Sequence, residues 1–203
     1  ELLLVKEFEE GKILEAESSE VQIAVVTDCL ESLRSLASHR QLSIGERTAW
    51  QIGLSFPFYW LRTFLKTPKR VRLMTTLFTT FYRHWSGTIG REAVVTHRDL
   101  YARNILVNSQ RVFILDLESM VLCTRETELA LVVRFNHQHW GDTPVHRILA
   151  TDLDTKAARQ SFAALSIYYA VQMMVTDRTT GPYYKESLDY LTEYEERLAA
   201  LAF

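Results

Sequence analysis

The segment His97-Arg98-Asp99-Leu100-Tyr101-Ala102-Arg103-Asn104 sets a carboxylate and a carboxamide five residues apart, in an order suited to phosphoryl transfer. Asp99 would accept a proton from a hydroxyl and Asn104 would lend an oxygen to Mg2+; the order His-Arg-Asp-x-x-x-x-Asn is matched at all four fixed positions. Such a metal needs a further oxygen, held rigidly beside the first on an adjacent strand. Asp116 fits that demand. A lone Asp-x-x-x-x-Asn is common in soluble domains, so the weight rests on His97, Arg98, Asp99, Asn104 and Asp116 occurring together in order.

These groups have to be positioned by the chain around them. Ile105-Leu106-Val107 and Val112-Phe113-Ile114-Leu115 are apolar, β-branched runs on either side of the turn-forming pair Asn108-Ser109. They predict a hairpin of two short strands that returns Asp116 to Asn104. The remaining pattern is helical. Ser19 with Gln22 can form a capping box, and Val26, Cys29, Leu30, Leu33, Leu36 and Ala37 follow on one face. Residues 50–65 are aromatic-rich and interrupted at Pro57, which predicts two short helices. Thr67-Pro68 offers a cap and first position for a helix reaching Gly87, with Leu73, Leu77, Phe81 and Trp85 along its apolar side. This helix is expected to lie beneath the catalytic loop as the buried organiser. Further amphipathic helices are expected at 126–137, 155–174 and 183–201. At most four strands among many helices make an α+β fold that is mostly α-helical.

The chain resembles the C-terminal lobe of the protein-kinase-like superfamily. It is closest in pattern to the small-molecule branch of aminoglycoside phosphotransferases, choline kinases and sugar kinases. Asp116 is followed by Leu117-Glu118 where protein kinases carry Phe-Gly, and no Ala-Pro-Glu follows downstream. Instead Glu126-Thr127-Glu128-Leu129-Ala130-Leu131 resembles the helix start found after this motif in the small-molecule enzymes. A contrary signal lies in Leu100-Tyr101-Ala102-Arg103-Asn104, which differs only at Tyr101 from the loop of protein tyrosine kinases. The flanking segments choose the substrate in this superfamily, so the surroundings outweigh the loop; a protein (tyrosine-like) kinase is the runner-up.

Leu2-Leu3-Leu4-Val5-Lys6-Glu7-Phe8-Glu9-Glu10-Gly11 resembles the family's hinge. The resemblance implies that backbone groups at Glu7 and Phe8 hydrogen-bond adenine and that Leu106 forms the floor beneath it. A strand ending in a turn at Gly11 is the plain alternative. About ninety residues then separate Glu7 from His97, an insert of the length that the small-molecule enzymes carry. What the resemblance further calls for, a Gly-rich phosphate loop and a strand Lys paired with a helix Glu, has no counterpart here: the seven glycines stand singly. The expectation is therefore one lobe over 1–203, hinge-like over 1–14, with the N-terminal lobe supplied by a longer parent chain or a partner. A non-catalytic binding module stays open for the same reason.

The resemblance implies ATP and Mg2+ as the nucleotide and metal, and a hydroxyl of a small molecule (aminoglycoside, choline or sugar type) as acceptor. Asp99 is the base, Asn104 and Asp116 are metal ligands, and Glu118 adds a contact to a metal or its shell. Arg103 offsets charge on the transferring phosphoryl. His97 and Arg98 are scaffold.

With 203 residues, 47% of them hydrophobic and 24% charged, the chain can bury a core and lacks a disorder signature. A net charge of −2 and pI near 6.3 argue against a general nucleic-acid binder. Cys29 and Cys123 have no metal or redox spacing and suit a reducing cytoplasm, with a disulfide left open. No apolar run is long enough to predict a membrane span. Phe56, Phe58, Tyr59 and Trp60 read as core rather than pocket. His137 and His139 would point to different faces of a helix, which disfavours metal binding. The acidic Glu186, Glu193, Glu195 and Glu196 read as a solvated helix face, with receipt of a cationic acceptor as the alternative.

Overall fold

The structure, a computed structural model, describes residues 11–36, 48–108, 111–140, 153–177 and 181–201. Six helices carry it: α1 (Ser19–Leu36), α2 (Ala49–Lys66), α3 (Val71–Trp85), α4 (Arg125–Trp140), α5 (Lys156–Thr176) and α6 (Pro182–Leu201). Among the described residues five short strands form two antiparallel sheets, one more strand than expected. The first sheet has the order β1-β3-β4, with β1 at Lys12–Ile13, β3 at Ile105–Val107 and β4 at Val112–Ile114. The second pairs β2 (Ala93–His97) with β5 (Met120–Thr124), His97 opposite Met120. The expected β3–β4 hairpin is present with Leu106 opposite Phe113. Its turn is closed by Asn108, whose Oδ1 accepts from the Arg111 backbone N at 2.7 Å, the local bond that makes Asn a turn residue.

The organiser is α5, not α3. Residues 161–171 are buried without a break, because α2, α3, α4 and α6 all pack on this one helix. The stretch expected to be amphipathic is therefore covered on every face, and so is α4 from Glu126 to Arg134. Thr155 caps α5, its hydroxyl accepting from Ala158 N at 3.1 Å. At the other end, Lys66 of α2 donates to the carbonyls of Met174, Val175 and Asp177 at 2.8–3.0 Å, a cation on the orphan acceptors of a helix terminus.

Pro57 does not split 49–66; α2 runs through it. A proline removes the bond to the carbonyl four residues back, here Gly53, and that oxygen instead accepts from the Tyr82 hydroxyl of α3 at 3.1 Å. Gly53 also has to be glycine on packing grounds, since a Cβ there would collide with the Trp85 indole. The prediction at Thr67-Pro68 is corrected in detail. Pro68 opens a short 3-10 turn to Arg70, α3 begins at Val71, and a second 3-10 turn covers Ser86–Thr88. The Thr67 hydroxyl donates back to Thr63 O at 2.8 Å rather than capping forward. The Gln22 amide nitrogen donates to the carbonyls of Glu15 and Glu17.

Phe56 is fully buried, its ring stacked on Phe81 at 3.7 Å, and Tyr59 and Trp60 pack against the same core, whereas Phe58, expected with them, is exposed on the opposite face of α2. Cys29 and Cys123 are buried and are not joined in a disulfide. Among the described residues no helix is long and apolar enough to cross a membrane.

At the start of α4, Glu128 is fully buried beside Arg34 of α1, with 3.2 Å from Arg34 Nε to Glu128 Oε2. Its other oxygen has no hydrogen-bond partner among the described residues. Burial outweighs the pull of Arg34 and Arg125 and pushes this carboxyl up to about 7. A carboxyl raised in the folded state binds more protons folded than unfolded between the two pKa values, so stability falls as pH rises through that window. The urea midpoint is expected to drop between about pH 5 and pH 8, by of order 3 kcal/mol in stability at most. Glu128→Gln should flatten the slope; a variant with the slope of the parent would refute the assignment.

Candidate active site

Strand β2 enters the loop from the core, with Val95, Thr96 and His97 buried. The chain then turns, with Leu100 N bonded to His97 O at 3.3 Å and Tyr101 N to Asp99 O at 3.0 Å. Leu100 and Ala102 are buried and pin the loop at two points. A 3-10 turn, Ala102–Asn104, leads directly into β3. Polar side chains between these anchors are thereby left outward: Asp99 and Asn104 are half-buried and Arg103 is exposed.

The hairpin returns the residue before Asp116 to Asn104, Leu115 N donating to Asn104 O at 2.8 Å. Asn104 spends its amide nitrogen within the loop, on Asp99 O at 2.9 Å. That leaves its oxygen, the atom able to bind a hard cation, as the outward end. Asp116 has φ 61° and ψ 47°, the left-handed region that costs a non-glycine residue roughly 1 kcal/mol. Two donors on its carbonyl hold it there: Ser119 N at 3.0 Å and His97 Nε2 at 2.9 Å. A carbonyl can only accept, so Nε2 of the fully buried His97 carries the proton. His97 is thus scaffold, as expected, but its load is the Asp116 turn. Arg98 backs the same turn, its backbone N 3.2 Å from Ser119 O.

Ser119 is the residue that sequence reasoning passed over. Nearly buried, it donates from Oγ to Asp99 Oδ2 at 3.1 Å. One carboxylate oxygen of Asp99 is thereby fixed, which aims the other. The only signal was its place three residues after Asp116, and that becomes informative once the left-handed turn folds it back.

Asp99 opens onto a cleft of about 470 Å3 whose near wall carries Arg98, Tyr101 and Arg103. The Arg103 guanidinium lies over the Tyr101 ring, 4.2 Å from its centroid, a cation–π contact that restrains the long side chain. The far wall is one face of α5, Tyr169, Gln172, Met173 and Thr176, at helical spacing. None of the four was anticipated.

Leu106 is half-buried in the first sheet, opposite Ile13 of β1. The Gly11 position lies against it, with 3.5 Å between Leu106 Cβ and a Cβ built there. The end of the hinge-like segment therefore runs beside Leu106. Glu7 and Phe8 lie outside the described residues. Glu118 is exposed in the 3-10 turn Leu117–Ser119. Among the described residues, no group of three or more His, Cys, Asp or Glu could hold a metal by itself. The donor set fits Mg2+ in another way: one carboxamide and one or two carboxylates, with phosphate and water oxygens completing the shell, as that ion prefers. Of the acidic helix face, Glu186 lies 3.9 Å from Arg134 and Glu193 is exposed, and neither lines the cleft. The side chains of His137, His139, Glu195 and Glu196 lie outside the described residues.

A family model described as the phosphotransferase enzyme family matches residues 2–165. Among solved structures, a choline kinase from Cryptosporidium parvum Iowa II superposes with TM-score 0.60 at 11% identity, over 97% of this chain and 71% of that one. A Plasmodium vivax ethanolamine kinase superposes with TM-score 0.50 at 12% identity, over 92% of this chain and 63% of that one. No curated protein matches. At such identities the superpositions speak for a shared fold.

Proposed function

The chain belongs to the phosphotransferase enzyme family, and from that premise we propose that it forms the catalytic half of a kinase that moves the γ-phosphoryl group of ATP to a hydroxyl of a small molecule. The observation that carries this reading is the Asp99 carboxylate, fixed by Ser119 at the cleft while the Leu115–Asn104 backbone bond brings the residue preceding Asp116 onto Asn104. Asp99 orients the acceptor hydroxyl and takes its proton as the oxygen attacks phosphorus. Arg103, restrained over Tyr101, supplies positive charge at the cleft wall. Asn104 and Asp116 would hold Mg2+, with Glu118 near enough in the chain to add to it; bound there, the ion neutralises charge on the phosphates. Leu106 offers an apolar surface to the nucleotide base beside the hinge-like segment, where Glu7 and Phe8 would provide backbone hydrogen bonds.

The runner-up, a protein kinase, is disfavoured by how the chain leaves the site. The whole connection from Asp116 to α4 is the 3-10 turn Leu117–Ser119 and strand β5, paired along its length with β2. Nothing in that connection is left as a loop on which a peptide could lie.

Turnover by the full-length protein with ATP and Mg2+ against aminoglycosides, choline, ethanolamine, sugars and a tyrosine peptide tests the reading. ATP consumption with one or more of the small acceptors is the expected result. Transfer to the peptide alone would promote the protein kinase, and no transfer to any acceptor would favour a binding module.

A further inference from the structure

Helix α2 is apolar on two opposite faces. Ile52 and Phe56 point into the core, while Trp50, Leu54, Phe58, Leu61 and Leu65 are 49–78% exposed. Steps of four, four, three and four residues put those five side chains in one stripe along the helix. Exposed apolar residues are ordinary when scattered; a continuous stripe marks a surface that is covered in use.

The charge along this part of the sequence is one-sided. Between positions 47 and 91 the sequence has no Asp or Glu and eight Lys or Arg, in a chain whose net charge is −2. Arg62 flanks the stripe, its guanidinium 5.3 Å from the Phe58 ring centroid. Just past the C-terminal end of α2, Lys69, Arg70, Val71 and Arg72 are all exposed. A second copy is a poor occupant, because two such faces would bring Arg62 and the 69–72 segment against their equivalents, and positions 47–91 offer no carboxylate to pair them. A complementary occupant has to be apolar within and anionic at its surface. It also has to accept a convex ridge supplied by a single helix.

We infer that this face of α2 docks on an anionic phospholipid surface, with Trp50, Leu54, Phe58, Leu61 and Leu65 entering the headgroup–acyl boundary and Arg62, Lys69 and Arg72 meeting lipid phosphates and carboxylates. A helix lying in the interface buries its apolar face only about 5–10 Å deep, within the reach of these side chains. Binding of this kind is peripheral and reversible. Each basic group near the surface contributes about fivefold in partitioning. None of the stripe residues lines the catalytic cleft, so the surface can be altered without touching the site.

Flotation of the full-length protein with vesicles tests this, using phosphatidylcholine alone and phosphatidylcholine with about 30 mol % phosphatidylserine. Partitioning onto the anionic vesicles is expected to exceed that onto the neutral ones by at least about tenfold. It should fall by a similar factor in Leu54→Ser/Phe58→Ser, and separately in Lys69→Glu/Arg72→Glu, with circular dichroism unchanged. Because Leu54 and Phe58 are outside the core, loss of fold should not obscure the result. Equal binding to both vesicle types, or full binding by both variants, would overturn the inference. So would a dimer in sedimentation equilibrium that Leu54→Ser/Phe58→Ser dissociates, or capture of an acidic amphipathic peptide by a protein that ignores vesicles.

Discussion

Asp99→Asn in the full-length protein is expected to lower turnover by about a thousandfold, within the span usually lost with a positioned base. The substitution keeps the shape of the side chain and an oxygen for Ser119 Oγ, which lies 3.1 Å from Asp99 Oδ2. An amide cannot take the proton of the attacking hydroxyl. The loop should stay folded, since Asn104 bonds to the backbone carbonyl of Asp99 and not to its carboxylate. The nucleotide KM should therefore move by no more than about threefold while kcat falls. Steady-state kinetics with ATP varied at saturating acceptor separates the two parameters. Turnover equal to the parent's would remove Asp99 from the mechanism. A rise in KM with kcat intact would recast it as a binding residue.

How much of this was legible in the sequence depended on whether a role is set by chain spacing or by tertiary geometry. The return of the chain from Asn104 towards Asp116 was legible because a two-strand hairpin sets that separation, and the Leu115–Asn104 backbone bond is the hairpin's direct consequence. The role of Ser119 was not, because its bond to Asp99 needs the left-handed turn at Asp116, a conformation that Asp tolerates but that its presence alone does not specify. The α5 wall of the cleft was missed for a different reason. Tyr169, Gln172, Met173 and Thr176 are separated from the loop by some seventy residues of chain, and only the packing of α5 brings them opposite. Pro57 misled for the same cause in reverse: the helix survives because Tyr82, far along the chain, satisfies the carbonyl that proline strands. Periodicity likewise failed to single out α5, since a helix covered on all sides shows no polar face.

Asp116→Asn should be the second severe lesion, and the backbone makes it an unusually clean one. The position is left-handed, with φ 61°, and asparagine is among the few residues that tolerate this conformation. The turn should persist, because its two restraints, from His97 Nε2 and Ser119 N, act on the carbonyl of residue 116 and are indifferent to the side chain. What disappears is the full negative charge of residue 116. A carboxylate ligand to a hard divalent ion stabilises the transferring phosphates by several kcal/mol, so kcat/KM should fall at least about a hundredfold. The Mg2+ concentration giving half-maximal rate should rise, a signature that Asp99→Asn would not share. Asp116→Ala separates charge from conformation. It loses the carboxylate as well and adds left-handed strain of roughly 1 kcal/mol, so its melting temperature should drop where that of Asp116→Asn does not. If Asp116→Asn kept both its rate and its Mg2+ dependence, Asp116 would not be a metal ligand, and His97 and Ser119 would be holding a turn whose purpose is to place Ser119 on Asp99.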